Sequence, residues 1–347
     1  MTMHIKHFGR LQSGKDVYSF ILTNSRGMTA EIINLGGIIR KLLVPGKEGD
    51  FADVCLGMAT LEDVLATPGY NGAAIGRIAN RTENARYRLN GREYVLEPNW
   101  KGHNLHSGSA NYANRLFSFD ENLLNADPAG LSSVTLSLYD RGEGGFETPL
   151  DVKITYSLSD DNTLLIAYRT FPESDCAVNL TNHCYFNLGG HNSGPVFDHE
   201  IMIAADFYTP VNESLIPTGE ILSVRNTIFD LRRPVLLGDV MGGSGFPGYD
   251  HNFVLNGCGF RHVATAYHEK SGRKMETFTD LPGMQFYTTT SGGPANGKDG
   301  AAYDRFHALC LETQYFPNSA NTPHFPSIFQ KAGEVCETVT AYRFSVA

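Results

Sequence analysis

"DVKITYSLSDDNTLLIAYRTF" occupies residues 151–171. Two runs, Asp151 to Leu158 and Thr163 to Phe171, flank the turn "SDDN". Their period of two, rich in β-branched and aromatic residues, fits half-buried strands, and Ser, Asp and Asn favour turns. The stretch therefore reads as an antiparallel hairpin, and the same pattern recurs in both directions. "VYSFILT" (17–23) and "MTAEIIN" (28–34) enclose "NSRG". "ARYRL" and "REYVL" enclose Asn90-Gly91. That dipeptide suits a type I′ turn, which needs positive φ at both central positions. "SSVTLSLYD" (132–140), "HEIMIAA" (199–205), "HVATAYHE" (262–269), "RKMETFT" (273–279), "MQFYTTT" (284–290) and "ETVTAYRFSV" (337–346) continue the series.

Helix signals are few. Thr60 and Asp63 form a capping pair ahead of Leu65, which predicts one short helix. Many strands, many turns and few short helices make an all-β chain, a large antiparallel β-sandwich. With no linker, repeat or low-complexity tract, residues 1–347 read as a single domain.

The formal net charge of −9, with no basic cluster, argues against nucleic acid as a partner. No run of about 18 apolar residues predicts a membrane span. The N-terminal "MTMHIKHFGR" has no secretory h-region. The six cysteines form no CxxC pair, so reduced thiols in a cytoplasm are expected.

Several stretches carry chemistry. "GRIANR" (76–81) is an irregular segment ending in Asn80 and Arg81. The arginine either pairs with a nearby acid or presents its planar fork to hydroxyls or a carboxylate. "KGHNLHSG" (101–108) holds an H-x-x-H in a glycine-flanked loop. Without a further His, Cys pair or HExxH, no metal is assigned. His106 is the better candidate than His103 for a polar pocket.

In "NLTNHCYFNLGG" (179–190) His183 stands among hydrogen-bonding side chains. It is either a satisfied buried histidine or an acid–base group, since imidazole titrates near neutrality. Asp250 lies where a loop becomes a strand in "GYDHNFVL" (248–255). Upstream, Gly243 to Gly248 spell G-x-G-x-x-G. Proline precedes the last glycine and a strand follows, so this is no dinucleotide fingerprint. Glu312 lies near the end of "ALCLET" (308–313), which reads as a strand buried on both faces. A carboxylate there is either paired with an arginine or functional.

"GRIANR", "NLHSG", "NLTNHCYFNL", "GYDHNFVL", "LPGMQFYT" (281–288) and "LCLETQYFPNSAN" (309–321), in that order, resemble the aldose 1-epimerase family, the galactose mutarotases. The likeness covers almost the whole chain. It implies a large mutarotase-type β-sandwich and an isomerase acting on free hexoses. His183 would be the general acid at the ring oxygen and Glu312 the general base at the C1 hydroxyl. His106 would lie close to the ring oxygen. Asn80, Arg81, Asp250 and Gln285 would hold sugar hydroxyls. The hemiacetal would open, rotate about C1–C2 and close on the other face, with no cofactor or metal. Reference pKa values of about 4.3 for Glu and 6.5 for His fit an ionised base and a partly protonated acid. The partner is a small sugar, and the chain a monomer or homodimer.

Three departures from the family pattern are expected to border the sugar site and bear on galactose preference. Ser107 stands where a glycine is expected, Thr289 and Thr290 where Gly-Asn is expected, and "GGFETPL" (144–150) where a Pro-Gly turn is expected. Three other readings compete. A non-catalytic sugar-binding protein would lack His183 or Glu312. An epimerase of phosphorylated hexoses would need a cationic pocket, for which Arg81 is the one candidate. A glycosidase would use two carboxylates, Asp250 and Glu312.

Overall fold

In the computed structural model, residues 2–67, 69–120, 131–243, 245–294 and 296–347 are described. The opening hairpin forms as read. Leu150–Leu158 pairs with Thr163–Pro172, and Asn162 closes the turn at φ 62°. It lies inside a nine-stranded sheet that is antiparallel throughout. Beside the hairpin, Ser132–Asp140 flanks one strand and the C-terminal Cys336–Val346 the other. Arg273–Thr279, Arg261–His268 and His199–Ile203 then extend the sheet.

Two five-stranded sheets accompany it. One is an N-terminal meander from Thr2–Arg10 to Phe51–Asp53. The other contains Ala205–Thr209, Asp250–Leu255, Gly283–Tyr287 and Cys310–Gln314. The largest buried apolar cluster joins all three. Phe20 and Ile32 come from the meander, Leu136, Ile154 and Ile166 from the nine-stranded sheet, and Phe253, Phe286 and Leu311 from the third. Each such side chain contributes roughly 1.5–3 kcal/mol on burial. These are packed sheets around a shared core, as the alternation implies.

The Asn90-Gly91 turn has φ of 51° and 78°, as a type I′ turn needs. The helix Leu61–Ala66 is capped by Thr60, whose side chain accepts from the Asp63 N–H. A second helix, Leu237–Met241, has no side-chain cap and no sequence signal. Among the described residues, no helix is long and apolar enough to cross a membrane.

Two expectations need correction. "HEIMIAA" is not one strand. The chain leaves the nine-stranded sheet at Ile203, and the Ala204 N–H donates to Val263 O. It then enters the other sheet at Ala205. A strand that changes sheets turns a corner of the sandwich, and alternation cannot reveal that. "MQFYTTT" stops at Tyr287 because Thr289 turns left-handed, at φ 35°. Its hydroxyl bonds to the backbone of Ala308 instead.

Candidate active site

The third sheet places carboxylates by register. Asn252 faces Gln285, which faces Glu312. Asp250 faces Tyr287, which faces Cys310. Cross-strand partners share a face and alternate residues repeat it. Asp250, Gln285 and Glu312 therefore stand on one side of the sheet, while Phe253, Phe286 and Leu311 enter the core from the other. Glu312 is the middle residue of its strand, not the last.

His183 reaches this face along the short strand Thr181–Asn182, paired with Ala74–Ile75. Its backbone N–H donates to Ala73 O and its carbonyl accepts from Gly72 N–H, which pins the main chain that carries the imidazole. Arg81 pairs with Leu105 in a second two-residue ladder. That ladder brings Asn80 to His106. The His106 N–H donates to Asn80 O at 2.9 Å, and the Asn80 N–H donates to His106 Nδ1 at 3.0 Å. Asn80, His106 and Ser107 all have positive φ, at 62°, 51° and 68°. Left-handed non-glycine residues cost energy and concentrate at functional sites.

These segments enclose a cavity of about 490 Å³. Asn80, Arg81, His106, His183, Asp250 and Glu312 line it. His183 Nε2 lies 3.6 Å from Glu312 Oε1, beyond hydrogen-bond length. Among the described residues, Glu312 Oε2 and His183 Nδ1 are buried without a partner. Asp250 is fully engaged: Gln285 Nε2 donates to Oδ1 at 2.6 Å and Arg81 Nη2 to Oδ2 at 3.2 Å. Arg81 also donates to Asn80 Oδ1. Tyr185 stacks on His183 at 4.8 Å, and Tyr70 packs against both His106 and His183.

Electrostatics overturns the simple expectation from reference pKa values. Burial pushes Glu312 well above its ordinary range, and the nearby Asp250 charge adds to this. Burial pulls His183 down to about 4, although Asp250 opposes the shift. His106 falls well below its ordinary value, through burial first and then the neighbouring His183 and Arg81. All three therefore favour their uncharged forms.

His106, His183 and Glu312 offer ligand atoms within 4.8 Å of one another, so a metal deserves a test. Because His106 Nδ1 accepts from the Asn80 N–H, the neutral ring carries its hydrogen on Nε2. That makes Nε2 a donor, so the group does not fit a three-ligand metal site.

A family profile for aldose 1-epimerases matches residues 18–343. The chain belongs to the aldose 1-epimerase family. Galactose mutarotase of Homo sapiens is 40% identical over 344 residues, covering 98% of each chain. Aldose 1-epimerase of Escherichia coli K12 is 32% identical over 337 residues, covering 93% of this chain and 94% of that one. The crystal structure of an aldose epimerase homologue from C. elegans matches with a TM-score of 0.87 at 27% identity, covering 95% of this chain and 99% of that one.

Within this epimerase fold the sequence candidates divide. Six of the seven line the cavity, and Gln285 does not. It sits behind Asp250 as its donor, with Oε1 buried and unpaired. His103 also stays out of the cavity, and its Nδ1 accepts from the Asn84 N–H. Of the three departures from the family pattern, only Thr289 and Thr290 line the cavity. Ser107 is buried behind it, where its hydroxyl accepts from Ile78 N–H and donates to Ile78 O. The 144–150 segment lies elsewhere. Arg77 of "GRIANR" is wholly buried against Asp140 and Thr148. Sequence reading missed Tyr70, Trp100, Leu215 and Asp304 in the cavity wall. Leu105, Tyr185 and Tyr287 also line the cavity, and these lie inside the quoted "NLHSG", "NLTNHCYFNL" and "LPGMQFYT".

Proposed function

We propose that the cavity binds a free hexose of the galactose or glucose type and interconverts its α and β anomers. The observation that carries this is the His183–Glu312 pair, 3.6 Å apart in the cavity wall, each with a buried atom that meets no partner among the described residues. The ring oxygen and the C1 hydroxyl of a pyranose hang on one carbon. An acid and a base this close can serve both at once.

In the opening step Glu312 takes the C1 hydroxyl proton while His183 protonates the ring oxygen, and the C1–O5 bond breaks. This leaves a neutral carboxyl and a neutral imidazole. After rotation about C1–C2, His183 removes the O5 proton, Glu312 returns one to O1, and the ring closes on the other face. The pair carries one proton throughout. Its ionic form opens the ring and its neutral form closes it. Burial favours the neutral form, so ring opening needs the proton transferred to His183 when the sugar binds. His106, as an Nε2–H donor, is suited to the ring oxygen.

Free rather than phosphorylated hexoses suit the charge of the wall. Arg81 is its one guanidinium among the described lining residues and is already paired with Asp250, while Asp304 adds a further carboxylate. The same pairing ties both oxygens of Asp250 to Arg81 and Gln285, which suits a carboxylate that positions its neighbours better than a glycosidase nucleophile. Following optical rotation of fresh α-D-galactose, α-D-glucose and other aldoses tests the reading. Catalysed mutarotation of at least one is expected. Binding without catalysis would make the protein a sugar-binding module.

A further inference from the structure

We propose that Trp100 is a positioning residue of the sugar site, holding the Arg81 guanidinium with its indole ring. The inference rests on the epimerase reading of the cavity. Trp100 is the only tryptophan in the chain and lies in the cavity wall beside Leu105 and Leu215.

Its position is built, not incidental. Trp100 N–H donates to His103 O at 3.0 Å, and His103 N–H returns a bond to Trp100 O at 2.7 Å. The two residues between them, Lys101 and Gly102, have φ of 47° and 83°. This is a two-residue hairpin with both central positions left-handed, which glycine adopts freely and lysine only at a cost. Lys101 Nζ donates to Glu213 O at 3.1 Å and lies 5.8 Å from the centre of the indole. The hairpin is thereby tied to the segment carrying Leu215.

One contact links this side chain to the ligand site. The Arg81 guanidinium lies 5.5 Å from the ring centroid, within cation–π range. The ring thus fixes a fork whose other contacts are Asn80 and Asp250. The indole nitrogen is itself buried, so the ring face and not the N–H carries the role.

The single tryptophan makes the test direct. D-galactose titrated into the wild-type protein should change its intrinsic fluorescence saturably, with a midpoint that follows KM. Trp100→Phe keeps a ring beside Arg81, so its KM should stay within about threefold of wild type. Trp100→Ala frees the guanidinium, so KM should rise about three- to tenfold and kcat should fall as Arg81 loosens. Wild-type KM and kcat in Trp100→Ala, or an equal loss in Trp100→Phe, would overturn the assignment while leaving the epimerase reading intact. Saturable emission without anomer exchange would uphold the place of Trp100 in the sugar site and overturn that reading.

Discussion

Two groups of histidines and carboxylates in this molecule look alike in composition and behave oppositely. In one, Asp198 accepts from His199, His268 and Lys270 at 3.1–3.2 Å. His199 Nε2 in turn accepts from Leu188 N–H, and Ser271 occupies His268 Nδ1. These bonds, the His199 one first, hold Asp198 far below the usual carboxylate range. In the other, Glu312 and His183 sit beyond bonding distance with unpaired atoms, and burial drives both toward neutrality. The first group is a satisfied structural knot. The second is the pair proposed to act on a bound sugar. Unmet hydrogen-bonding capacity in a cavity, not residue type, separates a working pair from a brace.

The largest effect should break the symmetry between them. Glu312→Gln keeps the shape but cannot take a proton, and His183→Asn removes the imidazole. Each should lower anomer exchange by about 10²–10⁴-fold with the fold kept. Asp198→Asn should leave exchange near wild type and cost no more than about 1 kcal/mol of stability, because the group is 41% exposed and screened. Polarimetry beside thermal melting checks both. Activity lost in Asp198→Asn would erase the distinction.

A smaller effect sharpens it through pH. Glu312 has its folded pKa raised, so below the unfolded value of 4.5 it adds no penalty. As pH rises above 4.5 the unfolded chain ionises first, and folded stability falls. Glu312→Gln escapes this, so its melting advantage over wild type should grow with pH. Asp198 has its pKa lowered. Its contribution is present above 3.8 and lost as pH falls through the folded value, so the Asp198→Asn deficit should shrink in acid. Parallel pH slopes for the two variants would contradict the assigned shifts.

How far the sequence speaks depends on the physics involved. "SSVTLSLYD" and "RKMETFT" coincide with their strands because period two is local. The break after Ile203 was hidden because changing sheets is a tertiary choice. His183 and Glu312 were visible through the resemblance, but their neutral forms were not, since burial by distant strands sets them. Arg77 and Arg81 stand four residues apart in one irregular stretch, yet one braces Asp140 in the interior and the other lines the cavity. Trp100 gave no signal because its meaning depends on where Arg81 arrives.

The central claim is that His183 and Glu312 pass protons as one unit across a single sugar. Magnetisation-exchange NMR of the galactose anomers at equilibrium measures this for wild type, Glu312→Gln, His183→Asn and the double variant. If the two act together, either single change should remove nearly all catalysis, and the double variant should be no slower than the worse single one. Losses that multiply, or a single variant near wild type, would show that the two groups do not share one reaction.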